Sequence, residues 1–266
     1  MFKTRLLSGI VLVIIAVISV IFGGYLLYGV TLAISLIGMY EFYRACNMEH
    51  SLMAVPGYLA ACVFYININL SFAPDAIKIP MIFLIVLMFI YVFSYPKYQI
   101  EQVAAAFFGF FYVAVMLSYV YQIRLLDNGL YLTFLVFICS WGCDTCAYCV
   151  GMLIGKHKMS PVLSPKKSVE GAVGGVIGAA LLSVFYCVIL RNQMGVGTKE
   201  IVLIAVITAV GAPISMVGDL TASAIKRNHN IKDFGKLIPG HGGILDRFDS
   251  MIITAPIIYY LARIIL

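Results

Sequence analysis

Between Ser223 and Asp249 a chain otherwise dominated by apolar residues becomes densely charged. Lys226, Arg227, Lys232 and Lys236 come first, Asp233, Asp246 and Asp249 are set among and after them, and the turn Pro239-Gly240-His241-Gly242-Gly243 divides the stretch. Lys and Arg neutralise phosphate, Asp offers hard oxygen ligands to a divalent cation, and glycine amides can form a concave nest for an anion. The mixture suits a phosphate-rich ligand and its metal ions. His241 can donate a hydrogen bond to a phosphate, serve as an acid toward a leaving group, form a phosphohistidine, or simply hold the turn. The phosphohistidine is the weakest of these readings, because nothing in the sequence supplies a separate acceptor for a two-step transfer.

Three further places carry chemistry. Asp144 lies in the apolar run around Trp141-Gly142-Cys143-Asp144-Thr145-Cys146-Ala147-Tyr148 with no basic neighbour in sequence. An unpaired carboxylate at the centre of a membrane helix costs about 2.5–3.5 kcal/mol, which a polar cavity, a bound cation or a hydroxyl from an adjacent helix would offset. The segment Ser164-Pro165-Lys166-Lys167-Ser168-Val169-Glu170-Gly171 pairs two lysines with a serine placed to cap a following helix, whose free N–H groups favour an anion. The preceding Gly151-Met152-Leu153-Ile154-Gly155-Lys156 is not a Walker A loop, since its glycines are one residue too close and His157 stands where Ser or Thr belongs. Asp219 follows Gly211, Pro213 and Gly218, residues that allow a bent helix and close backbone approach. Asp246 is expected to begin a helix with Asp249 one turn further on the same face, and Asp219 with Asp246 is the expected pair of Mg2+ ligands. Salt bridges to Lys226, Arg227 and Arg247 are the alternative for Asp233 and Asp249.

The elements that must position these residues are membrane helices. With 62% hydrophobic and only 11% charged residues, and a mean hydropathy of +1.01, the chain is far from a soluble domain, in which roughly a quarter of residues are charged. Hydropathy predicts nine spans, at 6–22, 25–43, 52–72, 78–95, 103–122, 130–150, 171–190, 201–222 and 250–266, in an all-α polytopic protein. Most of the 18 Lys and Arg residues, including Lys3, Arg5, Lys166, Lys167 and the run from Lys226 to Arg247, then fall on the side of the N-terminus. That bias predicts a cytoplasmic N-terminus and cytoplasmic basic loops. The first apolar run is read as a retained span, because no convincing cleavage site precedes Gly23-Gly24 and another apolar run begins at once. The chain is expected to form a single membrane domain over 1–266, with helices of low motif content in 1–130 and the catalytic helices and loops in 131–266. In the first part Glu41 is the best candidate for chemistry, read as an interfacial acid reaching for water near Arg44. Cys143, Cys146 and Cys149 repeat at helical spacing and are read as small packing residues rather than metal ligands.

Ser223, Lys226-Arg227, Lys232-Asp233, His241-Gly242-Gly243, Asp246-Arg247 and Asp249 together match a known signature. The stretch resembles the phosphatidate cytidylyltransferase (CDP-diacylglycerol synthase) family, and Asp144 and the Ser164–Gly171 segment match further family motifs. The resemblance implies the reaction of phosphatidate with CTP to give CDP-diacylglycerol and pyrophosphate, at the cytoplasmic face of the cell membrane. It implies Mg2+, with room for a second, monovalent cation such as K+, and a homodimer. CTP, phosphatidate and the lipid bilayer are the expected partners, and nucleic acid is not. Asp219, Asp246, Lys226, Arg227 and His241 are the expected catalytic residues. Ser164, Lys166, Lys167, Ser168, Ser223, Lys232, Gly242, Gly243, Arg247 and Asp144 are expected at the substrates, and Asp144 and Asp249 are further candidate metal ligands. A CTP-using lipid kinase needs similar loops, and a transporter also tolerates intramembrane acids and broken helices. Concentration of the polar chemistry on one face argues against a path through the membrane.

Overall fold

The computed structural model describes residues 2–73, 75, 77–240 and 242–265, with the backbone alone for residues 2–6 and 265. His241, an expected catalytic residue, lies outside the described residues. Each predicted apolar segment forms one helix: α1 Phe2–Phe22, α2 Gly24–Ala45, α3 Ala54–Leu70, α4 Lys78–Phe93, α5 Ile100–Arg124, α6 Gly129–Ile154, α7 Val169–Ile189, α8 Thr198–Asn228 and α9 Leu245–Ile265. A chain in lipid must pair its own N–H and C=O groups, and the helix does so locally. Among the described residues five helices, α2, α5, α6, α7 and α8, are long and apolar enough to cross a membrane, while the apolar parts of α1, α3 and α4 are shorter.

Three departures from the sequence expectations bear on function. Helix α8 continues past position 222 to Asn228, so Lys226 and Arg227 occupy its last turn rather than a loop. Cations are favoured there by the helix dipole. The polar segment after α6 is a hairpin, with β1 Lys158–Ser160 antiparallel to β2 Ser164–Ser168. Within α5 and α6 the helical ladder widens to π geometry at Phe110–Val115 and Ile138–Gly142, the latter immediately before Cys143 and Asp144.

The chain divides into two compact units that alternate along the sequence. The first comprises Met1–Ser118 and His229–Arg247; the second comprises Tyr119–Asn228 and Phe248–Leu266. In the first, Tyr43 is fully buried and donates to the Ala106 carbonyl at 2.8 Å, and Ser35 and Tyr65 share a hydrogen bond of 2.8 Å between α2 and α3. In the second, α7 packs along α6 and α8. Its glycines permit that closeness: a Cβ at Gly174 would stand 2.5 Å from the Val150 side chain, and one at Gly178 would stand 2.5 Å from Cys146. Cys146 thus serves packing, as its helical spacing suggested, and Cys143 is fully buried.

Candidate functional site

In the second unit the hairpin and three helices enclose a cavity of about 500 Å³ whose lining includes Asp144, Lys158, Lys166, Lys167, Ser168 and Asp219. Asp144 is carried by α6, directly after the π segment, and stays half-buried. Asp219 comes from α8 one residue after Gly218, which lies against the backbone of Asp249 and Ser250 in α9. The lysines come from β2. Lys167 forms an ion pair with Asp219 at the cavity wall, the two side chains being 24% and 27% exposed. Such partial exposure leaves the pair open to exchange partners with a ligand.

Ser168 ends β2 and caps α7, accepting a hydrogen bond from the Gly171 amide at 3.1 Å as its position in the sequence predicts. Glu170, in the first turn of α7, reaches back to the start of the hairpin. It accepts from the amides of Lys156 and His157 at 3.1 and 3.2 Å and meets His157 Nδ1 at 2.5 Å. The Val169 amide donates to the His157 carbonyl at 2.9 Å and closes the same junction. The cationic strand is therefore fastened at its C-terminal end, where β2 runs into α7 beside the start of β1. Ser164 begins β2 opposite Ser160 and is half-buried.

Asp249 is buried, accepts from its neighbouring Ser250 amide at 2.8 Å, and lies within electrostatic reach of Asp219, Lys226 and Asp144. Ser223 and Lys226 are half-buried on α8 and Arg227 is exposed. Among the described residues no group of three or more His, Cys, Asp or Glu side chains is gathered to hold a metal ion by itself. The oxygen donors present nevertheless suit a hard cation, which routinely completes its shell with phosphate oxygens and water.

In the first unit the loop His229–Arg247 forms a different kind of site. Asp246 is 6% exposed, and its Oδ2 accepts from the amides of Phe234 at 2.8 Å and Gly243 at 2.9 Å. Gly242 has φ +90°, a conformation that favours glycine, and the Ile238 amide donates to its carbonyl at 2.9 Å. The tight turn at Gly242-Gly243 is formed as anticipated, but the Gly243 amide points to Asp246. Lys232 and Lys236 are exposed, and Arg247 is half-buried. Glu41 is a correction: far from reaching toward water near Arg44, it is 2% exposed and accepts from the amides of Ile244 and Leu245 at 3.1 and 2.8 Å. Two amides at the start of α9 satisfy the acid better than the interface would.

The profile of the cytidylyltransferase family matches residues 3–265, nearly the whole chain. The chain belongs to the cytidylyltransferase family. Relatives of similar length include the phosphatidate cytidylyltransferase of Bacillus subtilis (strain 168), 30% identical with 97% of each chain covered. That of Staphylococcus haemolyticus (strain JCSC1435) is 31% identical over 96% of this chain and 97% of its own. That of Haemophilus influenzae (strain ATCC 51907 / DSM 11121 / KW20 / Rd) is 31% identical over 98% of both. Family membership extends through the N-terminal helices, where the sequence motifs are sparse. Sequence reasoning missed Glu170 and misread Glu41 in this cytidylyltransferase-family chain, both of which accept from backbone amides. Glu170 carried a faint signal, lying near Ser168 at a helix start; Glu41 carried only its unusual depth.

Proposed function

We propose that this membrane protein transfers CMP from CTP to phosphatidate, giving CDP-diacylglycerol and pyrophosphate. The observation that carries the reading is the cavity that gathers Asp144, Lys166, Lys167, Ser168 and Asp219 in a chain of this family. A phosphate oxygen of phosphatidate attacks the α-phosphorus of CTP, a new P–O–P bond forms, and the bond to the β-phosphate breaks to release pyrophosphate. No strong base is needed, since a phosphomonoester with a second pKa near 6 is mostly dianionic at pH 7. The obstacle is repulsion between anions, and cationic side chains held in place in advance lower it. Lys166 and Lys167 on β2 and Lys226 and Arg227 at the end of α8 bind phosphates, with Ser164, Ser168 and Ser223 as neutral donors. Lys232, Arg247 and the Gly242-Gly243 turn, with His241, are assigned to phosphate binding from the loop.

The carboxylates assigned to metal are Asp219 and Asp246, with Asp144 and Asp249 as further oxygen donors. When bound, Mg2+ neutralises phosphate charge as it shifts toward the leaving group, and a monovalent cation such as K+ can join it. The chain acts as a single membrane domain in the cell membrane, crossing it nine times with the N-terminus and the chemistry on the cytoplasmic side, as a homodimer. The basic bias of the loops supports that orientation, and accessibility of introduced cysteines in intact cells checks it. Acyl chains can then stay in lipid while the phosphate rises to the interface.

The test is pyrophosphate release by detergent-purified protein with phosphatidate, CTP and Mg2+, omitting each in turn. Release that requires all three, with a CDP-lipid in the organic phase, is the expected outcome. Appearance of CDP in place of pyrophosphate would make the protein a lipid kinase instead.

A further inference from the structure

The N-terminal helices hold little motif chemistry, yet one of them is bonded to the loop that carries Asp246. Glu41, in the last two turns of α2, places one carboxylate oxygen 3.1 Å from the Ile244 amide and the other 2.8 Å from the Leu245 amide. These are the amides at the very start of α9, where the helix has no N–H partner of its own, so a charged acceptor there is strongly bound. Gly235 and Gly243 press against the same carboxylate so closely that a Cβ at either would collide with it. A second brace comes from the next turn of α2. Arg44 Nη2 donates to the Phe234 carbonyl at 2.5 Å, while the Phe234 amide donates to Asp246 Oδ2 at 2.8 Å. Arg44 is itself backed by the Tyr40 ring at 5.6 Å.

Asp246 is thus held on both sides by peptide groups that α2 fixes: Phe234 through Arg44, and the Gly243–Leu245 turn through Glu41. We infer that Glu41 is a positioning residue for Asp246, fixing the first turn of α9 so that the Asp246 carboxylate is presented in one orientation. The inference rests on the reading of Asp246 as a residue that binds the metal. It assigns the N-terminal helices a specific task in the reaction beyond spanning the membrane. Glu41 touches no substrate; its effect passes through two amides and one turn of helix.

The test compares Glu41→Gln, Asp246→Asn and Ser35→Ala in the purified full-length protein. Gln keeps the volume and one acceptor oxygen, but its amide group faces a second N–H, so one of the two bonds is lost. Hydrogen exchange of the peptide containing Ile244 and Leu245, read by mass spectrometry, is expected to quicken about tenfold in Glu41→Gln, as loss of a bond to a charged group would give. The Mg2+ concentration for half-maximal rate should rise about tenfold and kcat fall about tenfold or more. KM for phosphatidate should stay within about twofold. Ser35→Ala removes an equally buried hydrogen bond of α2, to Tyr65, and should lower thermal stability without moving either the exchange or the Mg2+ requirement.

Unchanged exchange and Mg2+ requirement in Glu41→Gln, with Asp246→Asn inactive, would overturn the positioning role alone. Normal turnover by Asp246→Asn would remove the metal reading of Asp246 and the inference with it. If Ser35→Ala shifts the Mg2+ requirement as Glu41→Gln does, Glu41 is merely structural.

Discussion

Two regions of this protein handle negative charge, and they do so by opposite means. In the second unit, Lys166, Lys167 and Asp219 stand at an open cavity, with Lys167 and Asp219 each about a quarter exposed and paired side chain to side chain. In the first unit, Glu41 and Asp246 are almost fully buried and each rests on two backbone amides. A side-chain ion pair can open when a phosphate offers better company. A carboxylate held by main-chain amides cannot move without moving the loop and the helix start that own them. The cavity therefore has the character of a place where ligands exchange, and the loop that of a rigid mount.

The largest expected effect follows from the mount. Asp246→Asn keeps the shape and an acceptor for the Phe234 and Gly243 amides, so circular dichroism and gel filtration should be unchanged, while CDP-lipid formation falls by about a thousandfold or more. Near-normal activity in that variant removes Asp246 from the reaction. Lys167→Ala should cost less, about a hundredfold in kcat/KM for CTP, because Lys166 and other cations still line the cavity. Lys167→Arg should recover part of that loss, since it restores charge but not the compact ammonium. A larger loss in Lys167→Ala than in Asp246→Asn would invert the contrast between rigid mount and exchangeable pair.

That contrast also separates what the sequence displays from what it hides. Each hydropathy segment falls on a helix, because lipid leaves the backbone no alternative, and the main misjudgement was the end of α8, where charged Lys226 and Arg227 looked like loop but complement a helix C-terminus. Asp144, Lys166, Lys167, Ser168 and Asp219 were visible because charge in an apolar chain needs a reason, and the fold does bring them to one cavity. Glu41 was misread because its partners are amides roughly two hundred positions away, Ile244 and Leu245. Backbone N–H groups have no letter in a sequence. For the same reason the Gly242-Gly243 turn was readable as a turn, whereas the direction of the Gly243 amide, toward Asp246, was not.

A smaller effect is expected at the cap of α7. Ser168→Ala removes the acceptor of the Gly171 amide, which should lower stability by about 1 kcal/mol. Ser168 also lines the cavity, so KM for CTP should rise about fivefold, the middle of the range for loss of one neutral hydrogen bond. Thermal unfolding in detergent and initial rates at varied CTP separate the two. A stability loss with KM untouched would confine Ser168 to capping and leave phosphate binding to the lysines.

The smallest effect belongs to Glu170, and it decides how far the hairpin resembles the mount. Glu170 accepts from the Lys156 and His157 amides, as Glu41 does from Ile244 and Leu245, but its side chain is 23% exposed and its imidazole partner on His157 is 79% exposed. Water can replace those contacts, and screening weakens an exposed pair. Glu170→Gln should therefore raise KM for CTP by only about threefold, with kcat unchanged. Raising the ionic strength should raise KM in both and narrow the gap between wild type and variant, because only the wild type also has the Glu170–His157 pair to lose. If Glu170→Gln instead lowers kcat as strongly as Glu41→Gln, amide bonding alone fixes a residue in place whatever its exposure. Burial would then not be what distinguishes the two regions.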